Sequence, residues 1–280
     1  MCLIAFAIGA SERWPLVIAG NRDEFLDRPT LPLARWRAEG APEIVSGRDL
    51  RAGGTWMGLT PGGRVAFLTN VREAPSADAP PPRSRGALVT RWLGHPGHSD
   101  DFAVEVAAEA AEYGGFNLVT GDLHTGQWVW MTNRINDGGA LHLQPLRPGV
   151  YGLSNAALDT PWPKTLTLRS VLERALADDT TADLECPLWS ALASRTRAPR
   201  EQLPATGVSL HFEEALSSAF VESPEHGYGT RCSTLIVASA GSAGKANTWA
   251  IDIKERAHRH GDGFPASTEV TLGFSLPVGR

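Results

Sequence analysis

The first seventy residues contain two β-hairpins, and this local antiparallel pairing limits the fold more than any other feature of the chain. Residues 2–8 and 16–20 are short apolar runs separated by a polar turn at Ser11-Glu12-Arg13. Residues 55–60 and 64–69 form a second such pair, joined through Pro61-Gly62-Gly63. Apolar runs of this length bounded by turn residues read as strands. Strands joined by tight turns pair antiparallel, because a parallel pair needs a long crossover. Residues 43–47 supply one further strand between the hairpins.

Helical periodicity follows at 85–93 and 100–113. The second of these has Ser99 as its N-cap, acidic residues in its first turn and Gly114-Gly115 as its stop. Strands are expected at 116–120, 127–132, 140–144 and 150–154, then helices at 164–177, 182–193 and 213–220. The chain closes with strands at 230–238, 248–253 and 269–276. Residues 74–82, rich in Pro, Ala and Ser, read as a loop, as does Gly241-Ser242-Ala243-Gly244-Lys245. Runs of strands alternating with runs of helices, without βαβ units, indicate an α+β fold of antiparallel sheets with segregated helix layers. No composition change is sharp enough to mark a domain boundary, and Pro199–Gly207 is only a weak linker candidate, so residues 1–280 are expected to form a single domain.

The net charge of −5 argues against a nucleic-acid partner, which would favour a basic face. No apolar stretch approaches the roughly 18 residues of a membrane span. The first twenty residues lack a basic leader and are interrupted by charge at residues 12 and 13, so they do not read as a signal peptide. Cys2, Cys186 and Cys232 show neither a CxxC pair nor zinc spacing. So sparse a set suits a reducing compartment, and a cytoplasmic protein with no metal is expected.

Cys2 directly follows Met1. Removal of Met1 would place its thiol beside a free α-amino group, so that one residue supplies both nucleophile and general base. A buried, inert first-strand Cys is the alternative reading of that residue alone. The hairpin places Cys2 at the same sheet edge as Asn21-Arg22-Asp23-Glu24, which follows directly on the second apolar run. Asn21 or Asp23 caps a short helix there, or Asp23 orients the Cys2 ammonium while Arg22 meets a thiolate or an acidic ligand. Asn70 and Asn155 each end a strand, where an amide NH₂ can donate to an oxyanion and where Asn also commonly turns the chain. Arg231 opens the strand Cys232-Ser233-Thr234, as a surface ion-pair partner or facing a site anion. Trp56, Trp128, Trp130 and Trp162 are candidates for the lining of an apolar pocket.

The blocks Met1-Cys2-Leu3-Ile4, Gly20-Asn21-Arg22-Asp23-Glu24-Phe25, Gly54-Thr55-Trp56-Met57-Gly58, Leu68-Thr69-Asn70, Gly152-Leu153-Ser154-Asn155, Thr160-Pro161-Trp162-Pro163-Lys164 and Gly229-Thr230-Arg231-Cys232-Ser233-Thr234 strongly resemble the NRDE family, also called the transport and Golgi organisation family. They run from the first residue to beyond residue 230. More distantly, they are similar to the choloylglycine hydrolase and penicillin V acylase group of N-terminal-nucleophile enzymes. The resemblance implies an αββα sandwich of two antiparallel sheets between helix layers. It also implies a site in which Cys2 matches the nucleophile, Asp23 the amine-orienting Asp, Asn70 and Asn155 the two Asn, and Arg231 the late Arg. The early Arg departs from the acylase pattern: it lies inside the Asn-x-Asp run as Arg22, where the acylases place it before that run at the position of Gly20.

Two functions follow from the resemblance. One is hydrolysis of an amide or thioester acyl bond by Cys2, with no cofactor required. The other is non-catalytic carriage of haem, or of an acyl-coenzyme A or other lipid, in the same pocket, with arginines pairing propionates or phosphates. In either case the partner is a small molecule. Cys186-Pro187 resembles the Cys-Pro dipeptide of some haem-responsive proteins, although so short a motif is common.

Overall fold

The computed structural model describes residues 2–38, 40–74, 81–135, 140–178, 183–240, 248–259 and 267–277. The 241–245 turn and most of the 74–82 loop lie outside these. Two central strands, β1 (Cys2–Ile8) and β2 (Leu16–Phe25), form the first hairpin. A meander follows: β3 (Thr30–Arg37), β4 (Glu43–Asp49), β5 (Met57–Leu59), β6 (Arg64–Asn70), β7 (Phe116–Asp122), β8 (Gln127–Thr132) and β9 (His142–Pro145). The chain then returns to the first sheet through β10 (Gly149–Leu153), β11 (Glu222–Ser223), β12 (Tyr228–Ala240), β13 (Thr248–His258) and β14 (Ser267–Pro277). Among the described residues these make two seven-stranded sheets. One runs β10-β1-β2-β12-β13-β14 with β11 on β12, the other β3 to β9 in sequence order, and every pairing is antiparallel.

Helices α1 (Gly86–Gly94) and α2 (Ser99–Glu109) interrupt the meander. Helices α3 (Pro163–Ala177), α4 (Glu185–Leu192) and α5 (Leu210–Ala215) lie between β10 and β11. Strand alternation explains the layering. Ile4, Phe6 and Ile8 face Val45, Val65 and Phe67 of the other sheet. Leu3, Ala5 and Ala7 face Leu168, Leu172 and Leu188 of α3 and α4. On the far side, Leu88, Trp92, Phe102 and Val106 of α1 and α2 cover Ala66, Leu118 and Met131. The result is the expected αββα sandwich. Because β1 is covered on both faces, it reads as an unbroken apolar run.

The structure departs from the sequence expectations in four places. The polar run 21–24 neither turns nor caps a helix, since β2 continues through it to Phe25. Strand β3 went unread because Pro32 and alternating charges mask an edge strand whose outer face is wet. Helix α2 is capped from His98, whose backbone N–H donates to Asp101 Oδ2 (3.1 Å) while Ser99 lies inside the helix. The helix expected over 213–220 is the shorter α5, with Ser209 as its N-cap.

A polar cleft at Cys2

Cys2 starts β1 directly opposite Arg22 of β2, and Arg22 in turn pairs with Cys232 of β12. Alternation turns all three towards the space between the sheets, where Cys232 and Ile4 lie in the inter-sheet core. At the Cys2 end this space opens into a cleft of about 100 Å³. Cys2, Leu68, Asn70, Thr55 and Trp56 line it, together with three arginines (Arg22, Arg28, Arg85) and three acidic residues (Asp23, Glu24, Asp49) among the described residues.

Arg22 is buried and stacks over Trp56, its Cζ 4.5 Å from the ring centroid. It donates to Thr30 Oγ1 (3.4 Å) and to Asp49 Oδ2 (3.3 Å), and lies 3.6 Å from Glu24 Oε2. Gly47 makes room for that indole, since a Cβ there would stand 2.2 Å from Trp56 Cη2. Arg28 also bonds Asp49 Oδ2, and the other Asp49 oxygen accepts the backbone N–H groups of Arg51 (2.9 Å) and Ala52 (3.0 Å). Burial opposes the Asp49 charge. The Arg28 hydrogen bond and the Ala52 N–H outweigh it and hold the carboxyl below the ordinary range.

Burial pushes the Cys2 thiol above its ordinary pKa, with Asp23 adding to the shift and Arg22 opposing it. The thiol is therefore protonated at neutral pH, and a proton acceptor is needed to make it a nucleophile. Asp23 is buried too; Thr230 Oγ1 donates to its Oδ1 (2.7 Å) and Tyr228 Oη to its carbonyl (2.7 Å). Burial raises the Asp23 pKa, against the opposing charge of Lys164. Asn21, one residue before Arg22, faces the helices. Its Nδ2 donates to the Leu192 (2.9 Å) and Ala219 (2.8 Å) carbonyls, and its Oδ1 accepts from Ser233 (2.6 Å).

The remaining expected residues take different places. Asn70 ends β6 on the cleft wall. Asn155 lies behind it, donating from Nδ2 to the Asn70 carbonyl (2.8 Å). Arg231 occupies the bulge between Thr230 and Cys232 and donates to the carbonyls of Phe25 (2.8 Å) and Arg28 (3.0 Å). It braces the β2–β3 turn and is not among the residues lining the cleft. Of the tryptophans, Trp56 lines the cleft, Trp128 and Trp130 are buried in the inter-sheet core, and Trp162 lies under the Arg72 guanidinium at 4.8 Å.

Sequence reasoning missed Asp49, Arg85 and a buried cluster behind Asp23. In that cluster Arg72 pairs with Glu213, and Lys164 donates to the Leu216 carbonyl (2.8 Å). Burial brings the Lys164 pKa down to about 8, although Asp23 favours its charge. Lys164 carried one signal, its place at the end of the block Thr160-Pro161-Trp162-Pro163-Lys164. Asp49 and Arg85 carried none.

Two antiparallel sheets packed between helix layers, with Cys2 at a strand end between them, define the class. The chain has the fold of the N-terminal-nucleophile hydrolases. It aligns over 99% of its length, and 92% of the other chain, with a mutant conjugated bile acid hydrolase from Clostridium perfringens, at a TM-score of 0.51 and 7% identity. The model of the family described as Transport and Golgi organisation 2 matches residues 1–247, and the chain belongs to that family. The human Transport and Golgi organization protein 2 homolog is 32% identical over 254 residues, covering 86% of this chain and 89% of the human one. The Drosophila melanogaster Transport and Golgi organization protein 2 is 24% identical over 257 residues, covering 85% and 87%. Among the described residues no helix is long and apolar enough to cross a membrane.

Proposed function

We propose that the protein is an N-terminal-cysteine hydrolase acting on an amide or thioester of a small, polar acyl compound. The observation that carries this reading is the placement of Cys2 at a strand end, across from Arg22, on the wall of a charged cleft. Met1 removal leaves the Cys2 amine beside its own thiol. The free amine takes the thiol proton as Sγ attacks the carbonyl carbon, and returns it to the leaving amine or thiolate. Water then attacks the resulting thioester, giving its proton to the same amine, and the acid departs with Sγ as leaving group. The Asn70 side chain, on the cleft wall, is the oxyanion donor, and Asn155 holds the strand end that carries it. Asp23 orients the amine from below.

Cleft size favours hydrolysis over carriage. About 100 Å³ is well below the roughly 300–1,000 Å³ typical of sites that enclose a whole drug-sized ligand. A carrier of haem or of a long acyl chain needs a larger and more apolar cavity, whereas a hydrolase has only to admit the reacting group.

The test combines intact mass with turnover. The purified protein is expected to lack Met1 and to hydrolyse members of an amide and thioester panel. Cys2→Ala is expected to keep its fold and lose turnover to background. Retained Met1, or turnover undiminished in folded Cys2→Ala, overturns the reading.

A further inference from the structure

Three arginines line the Cys2 cleft, and two of them are neutralised by it. Arg22 and Arg28 share Asp49 and Glu24 as partners. Arg85 is different. It reaches the cleft from the start of α1, is half-buried, and donates from Nη1 to the Gly115 carbonyl (3.1 Å). Among the described residues, it has no carboxylate within ion-pair distance.

The fold takes trouble to place this side chain. Gly54 and Gly86 meet backbone to backbone, and a Cβ on Gly54 would stand 2.6 Å from the Gly86 carbonyl carbon. That contact seats the start of α1 against the β4–β5 connection that also carries Thr55 and Trp56 of the cleft. Gly114 leaves space on the other side, since its Cβ would lie 3.3 Å from Arg85 Nη1. Burying a cation without a counter-charge is unfavourable. Burial accordingly lowers the Arg85 pKa. Glu24 and Glu73 oppose that from a distance and Arg28 adds to it, while Glu73 is itself engaged by Arg134.

We propose that Arg85 is the anion-binding residue of the Cys2 cleft, and that the compound attacked there carries a carboxylate or phosphate close to its carbonyl. The proposal rests on the Cys2 reading above and adds the substrate's charge. A guanidinium presents N–H donors in a fork that fits either anion with two parallel hydrogen bonds. One Arg85 nitrogen is held by Gly115, which fixes the fork at the cleft edge. The cleft volume suits a compact anionic group.

Iodoacetate and iodoacetamide differ in charge but hardly in size, so their alkylation rates at Cys2 report the local field. The rates are read by mass spectrometry of the Cys2 peptide, with exposed Cys186 as internal reference. Arg85→Met is expected to lower the iodoacetate-to-iodoacetamide ratio at Cys2 by about five-fold, and Arg85→Lys to retain most of it. Arg147→Gln, an equal charge loss at an exposed site, controls for net charge. A second arm needs no variant. At constant ionic strength, acetate or inorganic phosphate is expected to slow iodoacetamide at Cys2 saturably relative to chloride. Whichever protects better identifies the anion. A ratio insensitive to Arg85→Met, or equal rates in all three salts, overturns the anion site while leaving a reactive Cys2 intact. A Cys2 inert to both reagents overturns the nucleophile and the anion site together.

Discussion

The two halves of β2 share one strand and its burial and differ in the chemistry of their side chains. Leu16–Ala19 and Asn21–Asp23 are equally buried, and both halves pair with β1 on one side and β12 on the other. In the first half Leu16 and Ile18 fill the space between the sheets while Val17 and Ala19 meet the helices. In the second half Arg22 occupies the inter-sheet face and Asn21 the helix face, each held by designated partners. The ladder to β12 carries a bulge beside the polar half, between Thr230 and Cys232, so the polar residues there do nothing to make the strand more regular. Buried polar groups contribute little net stability even when satisfied and cost a good deal when not. Their concentration opposite Cys2 therefore marks where this strand gives up stability.

The largest expected effect lies on the apolar side. Phe6 packs edge-on to Phe67 (4.9 Å between centroids) and stacks on Tyr151 (5.2 Å). Phe6→Ala should destabilise by about 3–5 kcal/mol in urea unfolding. A loss below about 1 kcal/mol would show that the apolar half is not the structural half.

Next comes the pH dependence set by Lys164 behind the polar half. Its folded pKa of about 8 lies below the ordinary 10.5. Below pH 8 both states hold the proton, and the cost of burying the charge is fully present. Between pH 8 and 10.5 the folded protein has released the proton while the unfolded chain still binds it, so this residue's contribution to stability rises with pH. That lowering of the pKa corresponds to about 3 kcal/mol. Cys2, Cys232 and Tyr228, whose pKa values burial raises, act in the opposite sense at high pH. The readout is therefore the gap between wild type and Lys164→Met, which should change by about that amount across the window. Parallel curves would remove Lys164 from the buried charge cluster.

Asn21→Ala should cost about 2 kcal/mol, because it strips the Leu192 and Ala219 carbonyls and Ser233 of one partner. Asn21→Leu should do no better, and a stabilised Leu variant would mean that the polar half needs no polar residue there. The smallest effect is expected at half-exposed Arg231. Arg231→Gln should cost about 1 kcal/mol and raise hydrogen exchange at Leu26 and Arg28 in the turn it braces. Unchanged exchange there would separate Arg231 from the turn.

Hairpins, helices and their order were legible in the chain because apolar period and turn residues are local signals. The first hairpin's arithmetic even brought Cys2 to the level of residues 21–24, and the structure pairs it with Arg22. What local pattern could not convey was where β2 ends. A polar run looks like a loop until β12, two hundred residues away, supplies Thr230 for Asp23 and Ser233 for Asn21. The same holds for Asp49 beneath Arg22, for the Arg72–Glu213 pair and for Arg85 at the rim. Each is an ordinary charged residue in its own stretch of chain. It acquires a role only when sheet packing removes water from around it and sets it beside groups distant in the sequence.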